Sequence, residues 1–357
     1  MHIRSALVVI KDAKYIGSIL RKYNEVLAAG KYYLFSSFRA MSLNVPETLK
    51  AAERYFSFKK THPMRIKGAN LFNKLGCYIN RNKKSTGEYE AFYVANNYDK
   101  VREVKLFSFT SKQILTICKD EADKKRQLDE YVMFSHAYNM PHVRTNPNYA
   151  NAINVSMVDR MVSPGDCFAL TAIAEATVAN NPDPKSLLYI PISELISFSY
   201  ENKKINLMLK DLADRLDDAV LQSVLPLCMQ HGDLSKDNLI YGECDGKTGY
   251  WWIDWEHASE RVFFYDYFFY IIHSAMYDDF EPISCYLSGE NDETLKAFFE
   301  HFNISFESDK KWDYLVVFAM CFLKERVCDL GYVSTLEAYC ELINKQRIDS
   351  MSDGEPL

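Results

Sequence analysis

The sequence is short of the residues that build flexible or cross-linked proteins. It has only 13 glycines in 357 residues, which argues against linkers and low-complexity tracts. Its nine cysteines form no CxxC pair and no Cys/His spacing of the kind that holds zinc. Because the count is odd and the chain is long, a disulfide framework is not expected. Most of the cysteines are predicted to be reduced and buried in a cytoplasmic protein.

Long hydrophobic runs are missing as well. The longest apolar stretches, Val262–Met276 and Tyr314–Leu323, are shorter than the roughly 20 residues that a membrane-spanning helix needs. The short apolar patch near the N-terminus is followed at once by Lys11 and Asp12, which does not fit a signal peptide. We therefore expect a soluble cytoplasmic protein without a transmembrane segment, which can still bind at the inner surface of a membrane.

The charges that are present divide the chain unevenly. Residues 1–86 hold 17 basic and 4 acidic residues, whereas the remainder holds 25 basic and 44 acidic ones. The basic region is suited to an anionic partner, either a membrane surface or a charged glycan. Nucleic acid is not expected, because no nucleic-acid motif is present and the aromatic residues follow core spacing. An alternative is that the basic region docks on the acidic remainder of the chain.

Local patterns predict an α/β region first and strands afterwards. The basic region is expected to contain a strand at Ser5–Ile10 and helices at Lys14–Ala28 and Pro46–Lys59. The polar segment Asn80–Gly87 is the best candidate for a boundary. Beyond it, aromatic and branched residues predict several strands, with one helix at Ala122–Tyr138 embedded among them.

The second half of the chain is predicted to be mainly helical. A break at Ser163–Gly165 follows a strand predicted at Ala152–Met161. One long amphipathic helix is predicted at Ile205–Gln230, directly before the strongest motif of the chain. A small sheet region that leads into a helical region is an α+β arrangement.

That motif is HGDLSKDN at His231–Asn238, which has the H-x-D-x-x-x-x-N form of a kinase catalytic loop. An aromatic strand that ends at Asp254 follows it. Phosphoryl transfer requires an acceptor hydroxyl aimed at the phosphate and cations that neutralise the phosphate oxygens. Asp233 is therefore predicted to orient the hydroxyl and accept its proton, and Asn238 and Asp254 to supply oxygen ligands to Mg²⁺.

The spacing of these residues has a structural explanation. A hairpin that turns at Glu243–Thr248 brings Asn238 and Asp254 to the same end, with Asp233 a few residues upstream. The alternative is that HGD is an ordinary turn and Asp254 an ordinary acid at the end of a strand. Three such residues in this order favour the catalytic interpretation.

HGDLSKDN followed by IDWE resembles the aminoglycoside phosphotransferase and choline kinase superfamily, whose members are related to protein kinases. The resemblance implies an α+β, protein-kinase-like fold with two lobes, to which this chain adds an N-terminal α/β region. The implied division is a basic region at 1–86, a sheet lobe with one helix at 87–162, and a mainly helical lobe at 163–357. The specific motifs occupy residues 228–270.

The same resemblance implies roles for residues around the motif. Asp266, in the segment FYDYF, is implied to brace the catalytic loop, and His231 is assigned a structural role. Lys119 is implied to bind phosphate and Glu130 to hold that lysine, with a surface lysine as the alternative. The adenine is implied to form hydrogen bonds with main-chain groups at Val158–Met161. The loop Asn96–Lys100, implied to cover the phosphates, has no glycine, so the amides that hold the phosphates stay unassigned.

The sequence thus predicts a kinase that uses ATP and Mg²⁺ to phosphorylate a hydroxyl of a small molecule or sugar. The aromatic segment Phe263–Ile272 resembles those of family members associated with surface polysaccharide synthesis. Together with the basic N-terminal region, this resemblance implies a sugar acceptor in surface glycan synthesis. The first alternative is a choline, ethanolamine or aminoglycoside kinase. The alternative from another class is a protein kinase or a pseudokinase scaffold, although a scaffold does not need Asp233, Asn238 and Asp254 together.

Overall fold

The computed structural model describes residues 2–56, 63–97, 100–197, 203–214 and 216–330. The helices in these ranges are α1 (His2–Lys22), α2 (Pro46–Phe56), α3 (Pro63–Leu75), α4 (Glu121–Phe134), α5 (Asp166–Asn180), α6 (Ile192–Leu195), α7 (Lys203–Ala213), α8 (Asp218–Gln222), α9 (Tyr265–Met276), α10 (Glu281–Ser288), α11 (Asp292–His301) and α12 (Lys311–Leu330). The strands are β1 (Gly30–Leu34), β2 (Ala40–Leu43), β3 (Ile79–Asn80), β4 (Ala91–Asn97), β5 (Lys100–Ser108), β6 (Gln113–Ile117), β7 (Val143–Thr145), β8 (Ala152–Ser156), β9 (Asp159–Arg160), β10 (Leu188–Pro191), β11 (Val224–Gln230), β12 (Leu239–Cys244), β13 (Lys247–Trp252) and β14 (Ser259–Val262). The predicted α+β class is confirmed.

The described residues fall into two compact units. The first is drawn from residues 1–133, 140–161 and 241–249, and the second from residues 134–139, 162–240 and 250–357. The first unit is built on an eight-stranded sheet of order β3-β1-β2-β4-β5-β6-β8-β7, in which every neighbouring pair is antiparallel.

Both faces of this sheet carry apolar cores. One core joins α1 and α3 to residues of β1, β4, β5 and β6, including Ile16, Leu20, Phe92 and Leu106. The other joins α2 to the opposite face through Ala52, Phe56, Phe107 and Met157. Since neighbouring strand residues point to opposite faces, the same strands serve both cores. The sheet therefore lies between α1 and α3 on one face and α2 on the other.

The N-terminal region differs from the sequence expectation in two ways. Ser5–Ile10 is part of α1 and not a strand. The reason is that Val9, Ala13, Ile16 and Leu20 recur at helical spacing and meet one core. Asn80–Gly87, predicted as a boundary, lies inside the first compact unit, because strands on both sides of it pair in one sheet. The helix predicted at Pro46–Lys59 is α2, and its last three predicted residues lie outside the described residues.

The second unit is mainly helical. Its core is crowded with aromatic side chains from α9, α11 and α12 and from residues next to these helices, which include Phe263, Phe268, Phe298, Phe299, Phe302 and Phe318. A three-stranded sheet of order β10-β11-β14 lies in the same unit.

The prediction of a single helix at Ile205–Gln230 was wrong. The segment forms α7 and α8 and then β11, which pairs with β10 and β14. The side chain of Asp217 accepts a hydrogen bond from the N–H of Ala219 and so caps the N-terminus of α8. The cap marks the start of a new helix, separate from α7. In β11, burial alternates along most of the strand, as expected for paired extended chain. A strand therefore leads into the HGD motif. The strand predicted at Ala152–Met161 is likewise divided into β8 and β9.

One pair of cysteines is an exception to the expectation that most of them are reduced. Cys167 on α5 and Cys285 on α10 form a disulfide across 118 residues of sequence. Helix packing brings the two together, and no spacing in the sequence signals that. Burial raises the pKa of Cys118, Cys228 and Cys244 to about 12, so these thiols are protonated and unreactive at neutral pH. Among the described helices, none combines the length and the apolar character needed to cross a membrane.

Candidate active site

The backbone of the HGD motif is anchored by a buried carboxylate. Strand β11 ends at Gln230, and the N–H groups of His231 and Gly232 donate to the two oxygens of Asp266, at 2.6 and 2.8 Å. The N–H of Asp266 in turn donates to the side-chain oxygen of Gln230, at 3.0 Å. Burial raises the pKa of Asp266, while the two backbone donors and the charge of Arg261 oppose that rise. Asp266 thereby ties the start of α9 to the start of the loop.

His231 links the loop to the strand that carries Asp254. Its ring is fully buried, and its Nε2 donates to the carbonyl of Ile253 at 2.8 Å. Its Nδ1 accepts from the N–H of Asp233 at 3.3 Å. This pattern requires the neutral ring with the proton on Nε2. His231 thus fixes the backbone on either side of the candidate site.

Asp233 and Asn238 are in direct contact. The Asn238 side-chain nitrogen donates to the carbonyl oxygen of Asp233 at 2.8 Å and to its carboxylate at 3.3 Å. Both bonds use the amide nitrogen, so the amide oxygen of Asn238 is the atom suited to a cation. Both side chains are half-buried.

A hairpin brings Asn238 and Asp254 to one place. β12 begins directly after Asn238, and β13 ends two residues before Asp254. The N–H of Ile253 donates to the carbonyl of Asn238 at 3.0 Å, which closes the open end of the hairpin. Asp254 is exposed and has a left-handed backbone, with φ of 67°. Left-handed residues other than glycine are uncommon and recur at functional sites.

Lys236, in the middle of the loop, is held by two acids that sequence reasoning did not single out. Its Nζ contacts Asp166 at 2.6 Å and Asp279 at 2.8 Å, and the hydroxyl of Tyr270 also donates to Asp166. Burial lowers the pKa of Lys236, but the bonds to Asp166 and Asp279 outweigh this and raise it. These acids are 70 and 43 residues from Lys236, so no local pattern reveals them.

Gly232 and Arg261 form a second contact that the sequence did not signal. Gly232 has φ of 80°, and a Cβ there would lie 2.2 Å from an Arg261 nitrogen and 2.5 Å from the His257 carbonyl. Arg261 pairs with Glu325 and lies 4.8 Å from the centre of the Tyr265 ring. The position therefore requires glycine, both for backbone angle and for space.

The remaining predicted residues, Lys119, Glu130, Val158 and Met161, belong to the first unit. Lys119 is exposed, and its Nζ lies 3.8 Å from Asp120. Glu130 is paired with Arg126, one helical turn earlier on α4. Among the described residues, Lys119 and Glu130 do not form an ion pair with each other. Glu130 pairs with Arg126 instead. Residues 98 and 99 of the predicted phosphate-covering loop lie outside the described residues.

The predicted adenine-binding edge already has hydrogen-bond partners. The carbonyl of Val158 accepts from the hydroxyl of Tyr55, and the N–H of Met161 donates to the carbonyl of Tyr241 at 2.9 Å. Between them, β9 pairs with β12. The amide oxygen of Asn238 and the carboxylate of Asp254 fit Mg²⁺, whereas the Val158 carbonyl and the Met161 N–H already bond to other residues of this chain.

Comparison of the sequence with known proteins gave no match. No family model matches the chain. No curated protein matches it either.

Comparison of the structure with solved structures gave matches to small-molecule kinases. A choline/ethanolamine kinase family protein from Mesorhizobium loti matches with a TM-score of 0.40 and 11% identity, over 77% of this chain and 92% of that one. The choline kinase LicA from Streptococcus pneumoniae matches with a TM-score of 0.40 and 13% identity, over 80% and 100%. The aminoglycoside phosphotransferase APH(4)-Ia matches with a TM-score of 0.41 and 13% identity, over 71% and 92%.

Proposed function

We propose that this chain is an ATP- and Mg²⁺-dependent phosphotransferase that phosphorylates a hydroxyl group of a small molecule. The observation that supports it most is the convergence of Asp233, Asn238 and Asp254. A buried anchor at Asp266 and the closed end of the β12–β13 hairpin hold these residues. In this proposal residues 87–162 and 163–357 correspond to the two lobes of a kinase.

Each residue has a distinct part in the proposed reaction. Asp233 orients the acceptor hydroxyl and takes its proton as the new oxygen–phosphorus bond forms and the bond between the γ-phosphorus and the bridging oxygen breaks, which releases ADP. The amide oxygen of Asn238 and the carboxylate of Asp254 hold Mg²⁺, which neutralises charge on the phosphate oxygens when it is bound. His231 and Asp266 keep the loop in place. Lys119, which is exposed, is proposed to contact phosphate, with Glu130 and Arg126 forming the ion pair beside it.

The acceptor is proposed only as a small molecule with a hydroxyl group. The preference for a sugar in glycan synthesis relied on the aromatic segment Phe263–Ile272, and every residue of that segment is buried. Those rings stabilise the core of the second unit and are not available for stacking on a sugar. Choline, ethanolamine and aminoglycosides therefore stand beside sugars as candidates. The pseudokinase alternative is not favoured, because the three oxygen-bearing residues are all present.

The metal-binding role of Asp254 leads to a direct test. Asp254→Ala is expected to weaken binding of Mg²⁺·ADP about tenfold or more, since second-shell changes alone cost about 10- to 100-fold in metal affinity. Titration calorimetry at millimolar nucleotide, with and without Mg²⁺, measures this. Asp237→Ala, an exposed aspartate in the same loop, is the control. Equal loss of affinity in both variants would contradict the assignment of Asp254.

The basic N-terminal region is proposed to recruit an anionic partner, at the cytoplasmic surface of a membrane or on a charged glycan. Its described residues form a cleft lined by Arg39 and Arg65, together with Tyr15 and Ser37. Arg65 is partly neutralised by Asp12 at 2.8 Å. The Tyr15 hydroxyl is buried and has no hydrogen-bond partner among the residues that the structure describes. Two guanidinium groups and an unused donor suit an oxyanion.

Binding through this cleft is expected to weaken steeply as salt is added. Arg39→Gln should reduce binding to anionic vesicles about fivefold, because a basic residue near an anionic surface contributes about 1 kcal/mol. Lys50→Gln, an exposed change of equal charge outside the cleft, should have less effect. Co-sedimentation with anionic and neutral vesicles, and separately with a charged glycan, measures this at low and high salt. Absence of binding to every partner at low salt would contradict the recruitment.

A further inference from the structure

Helix α2 covers one face of the sheet in the first unit, next to the predicted adenine-binding edge. Its last turn places Tyr55 and Phe56 against the face that carries Phe107 and Met157. The ring centroids of Phe56 and Phe107 are 5.1 Å apart, and those of Tyr55 and Phe107 are 5.8 Å apart. Met157 directly precedes Val158 in sequence. The aromatic end of α2 therefore packs directly beside the start of that edge.

Tyr55 also forms the polar contact at this edge. Its hydroxyl donates to the carbonyl of Val158, a residue that is only 4% exposed. The guanidinium carbon of Arg160 lies 5.7 Å from the centre of the Tyr55 ring. Burial raises the pKa of Tyr55 to about 12, so the hydroxyl remains a donor at neutral pH. A flat ring with a donor to the Val158 carbonyl has the chemistry of the amino edge of adenine.

Other groups of this edge are engaged as well. The N–H of Met161 is used by Tyr241, and Asp159 and Arg160 pair with β12. β9 and β12 are in close contact, since a Cβ on Gly242 would lie 2.2 Å from the carbonyl oxygen of Asp159. A purine amino group that donates to the Val158 carbonyl therefore competes with the Tyr55 hydroxyl for that oxygen.

We propose that the end of α2 occupies the purine side of the nucleotide site, and that nucleotide binding displaces Tyr55 from Val158. This inference rests on the proposed phosphotransferase function and on the adenine-binding edge predicted at Val158–Met161. The conformation described is then a closed form, and the apparent affinity for nucleotide is reduced by the fraction of molecules that are closed.

The low burial and the exposed charges of α2 are consistent with a helix that can detach from the sheet. In its 11 residues only Ala52 and Phe56 are buried, and four charged residues, Glu47, Lys50, Glu53 and Arg54, are exposed. Few buried apolar residues mean that local opening costs less than unfolding of the unit. A tyrosine at the end of such a helix can exchange places with a ligand of the same shape and donor pattern.

Tyr55→Phe separates the hydrogen bond from the packing of the ring. The variant leaves the buried Val158 carbonyl without its donor in the closed form only, which favours the open form. We expect the dissociation constant of Mg²⁺·ATP to fall on the order of tenfold. Tyr33→Phe is the matched control, because Tyr33 packs against the same cluster without a bond to Val158. Its affinity for nucleotide is expected to equal that of the wild type.

A second measurement does not depend on a variant. Hydrogen exchange at residues 46–56 of the wild-type chain should become faster when Mg²⁺·ATP is added, because α2 loses its contacts with the sheet. Unchanged or slower exchange there, or equal affinity of the wild type and Tyr55→Phe, would overturn the displacement and leave the phosphotransferase proposal standing. Absence of nucleotide binding in both proteins at millimolar concentration would overturn the two proposals together.

Discussion

Gly232→Ala is expected to lower the free energy of unfolding by about 3 kcal/mol or more. A left-handed backbone costs a residue with a Cβ about 1–2 kcal/mol, and forcing atoms into occupied space adds about 1–3 kcal/mol. The Arg261 side chain that the new Cβ would meet is held by Glu325, so it has little freedom to retreat. The His257 carbonyl, at 2.5 Å, is backbone and has less freedom still.

Gly246→Ala provides the matched control for this effect. Gly246 also has a positive φ, of 77°, but no atom lies within 4 Å of a Cβ placed there. Its replacement should therefore cost only the backbone term, about 1–2 kcal/mol. Urea denaturation of the two variants and the wild type measures the difference. Equal stability of the two variants would show that the contact between the HGD turn and Arg261 is not as tight as described.

Asp233→Asn is expected to reduce the rate of phosphoryl transfer about 10²- to 10⁴-fold, the usual contribution of a general base. Asparagine is of equal size and can still accept the bond from the Asn238 side chain, so the fold and the affinity for Mg²⁺·ATP should be retained. Comparison of kcat with nucleotide affinity separates these effects. Asp237→Asn, the exposed neighbour in the loop, serves as control. A near wild-type rate for Asp233→Asn would exclude Asp233 as the base.

The arrangement of Asn238 and Asp254 was predictable because it is local. The two residues flank one hairpin, and a turn signal between two short strands suffices to place its ends together. The predicted turn at Glu243–Thr248 contains the observed one. The proximity of Asp233 to Asn238 follows in the same way, because the two are only five positions apart in sequence.

The anchors of the site could not be predicted, because they are distant in sequence. Asp166, Asp279 and Glu325 reach the loop or its neighbours only after the helices of the second unit have packed. Likewise, the contact of Tyr55 with Val158 spans 103 residues. The periodicity of apolar residues predicts which face of a helix or strand is buried, but it does not predict which other element packs against that face.

Two errors in secondary structure have a common cause. Val224–Gln230 is a short apolar run, which periodicity alone cannot assign to a strand or to the end of a helix. Ser5–Ile10 has the branched residues of a strand, yet it continues the helical spacing that Ile16 and Leu20 complete. In both cases tertiary packing decided between two locally acceptable conformations.

The central claim is that this chain transfers a phosphoryl group from ATP to a hydroxyl. It is tested most directly by incubating the full chain with radiolabelled Mg²⁺·ATP and a panel of sugars, amino alcohols and aminoglycosides. Tyr55→Phe is run in parallel, so that closure by α2 does not hide activity. The account predicts a labelled phosphomonoester that requires Mg²⁺, disappears in Asp233→Asn and persists in Asp237→Asn. A product that forms equally well in Asp233→Asn, or failure of both the wild type and Tyr55→Phe to bind Mg²⁺·ATP, would contradict it.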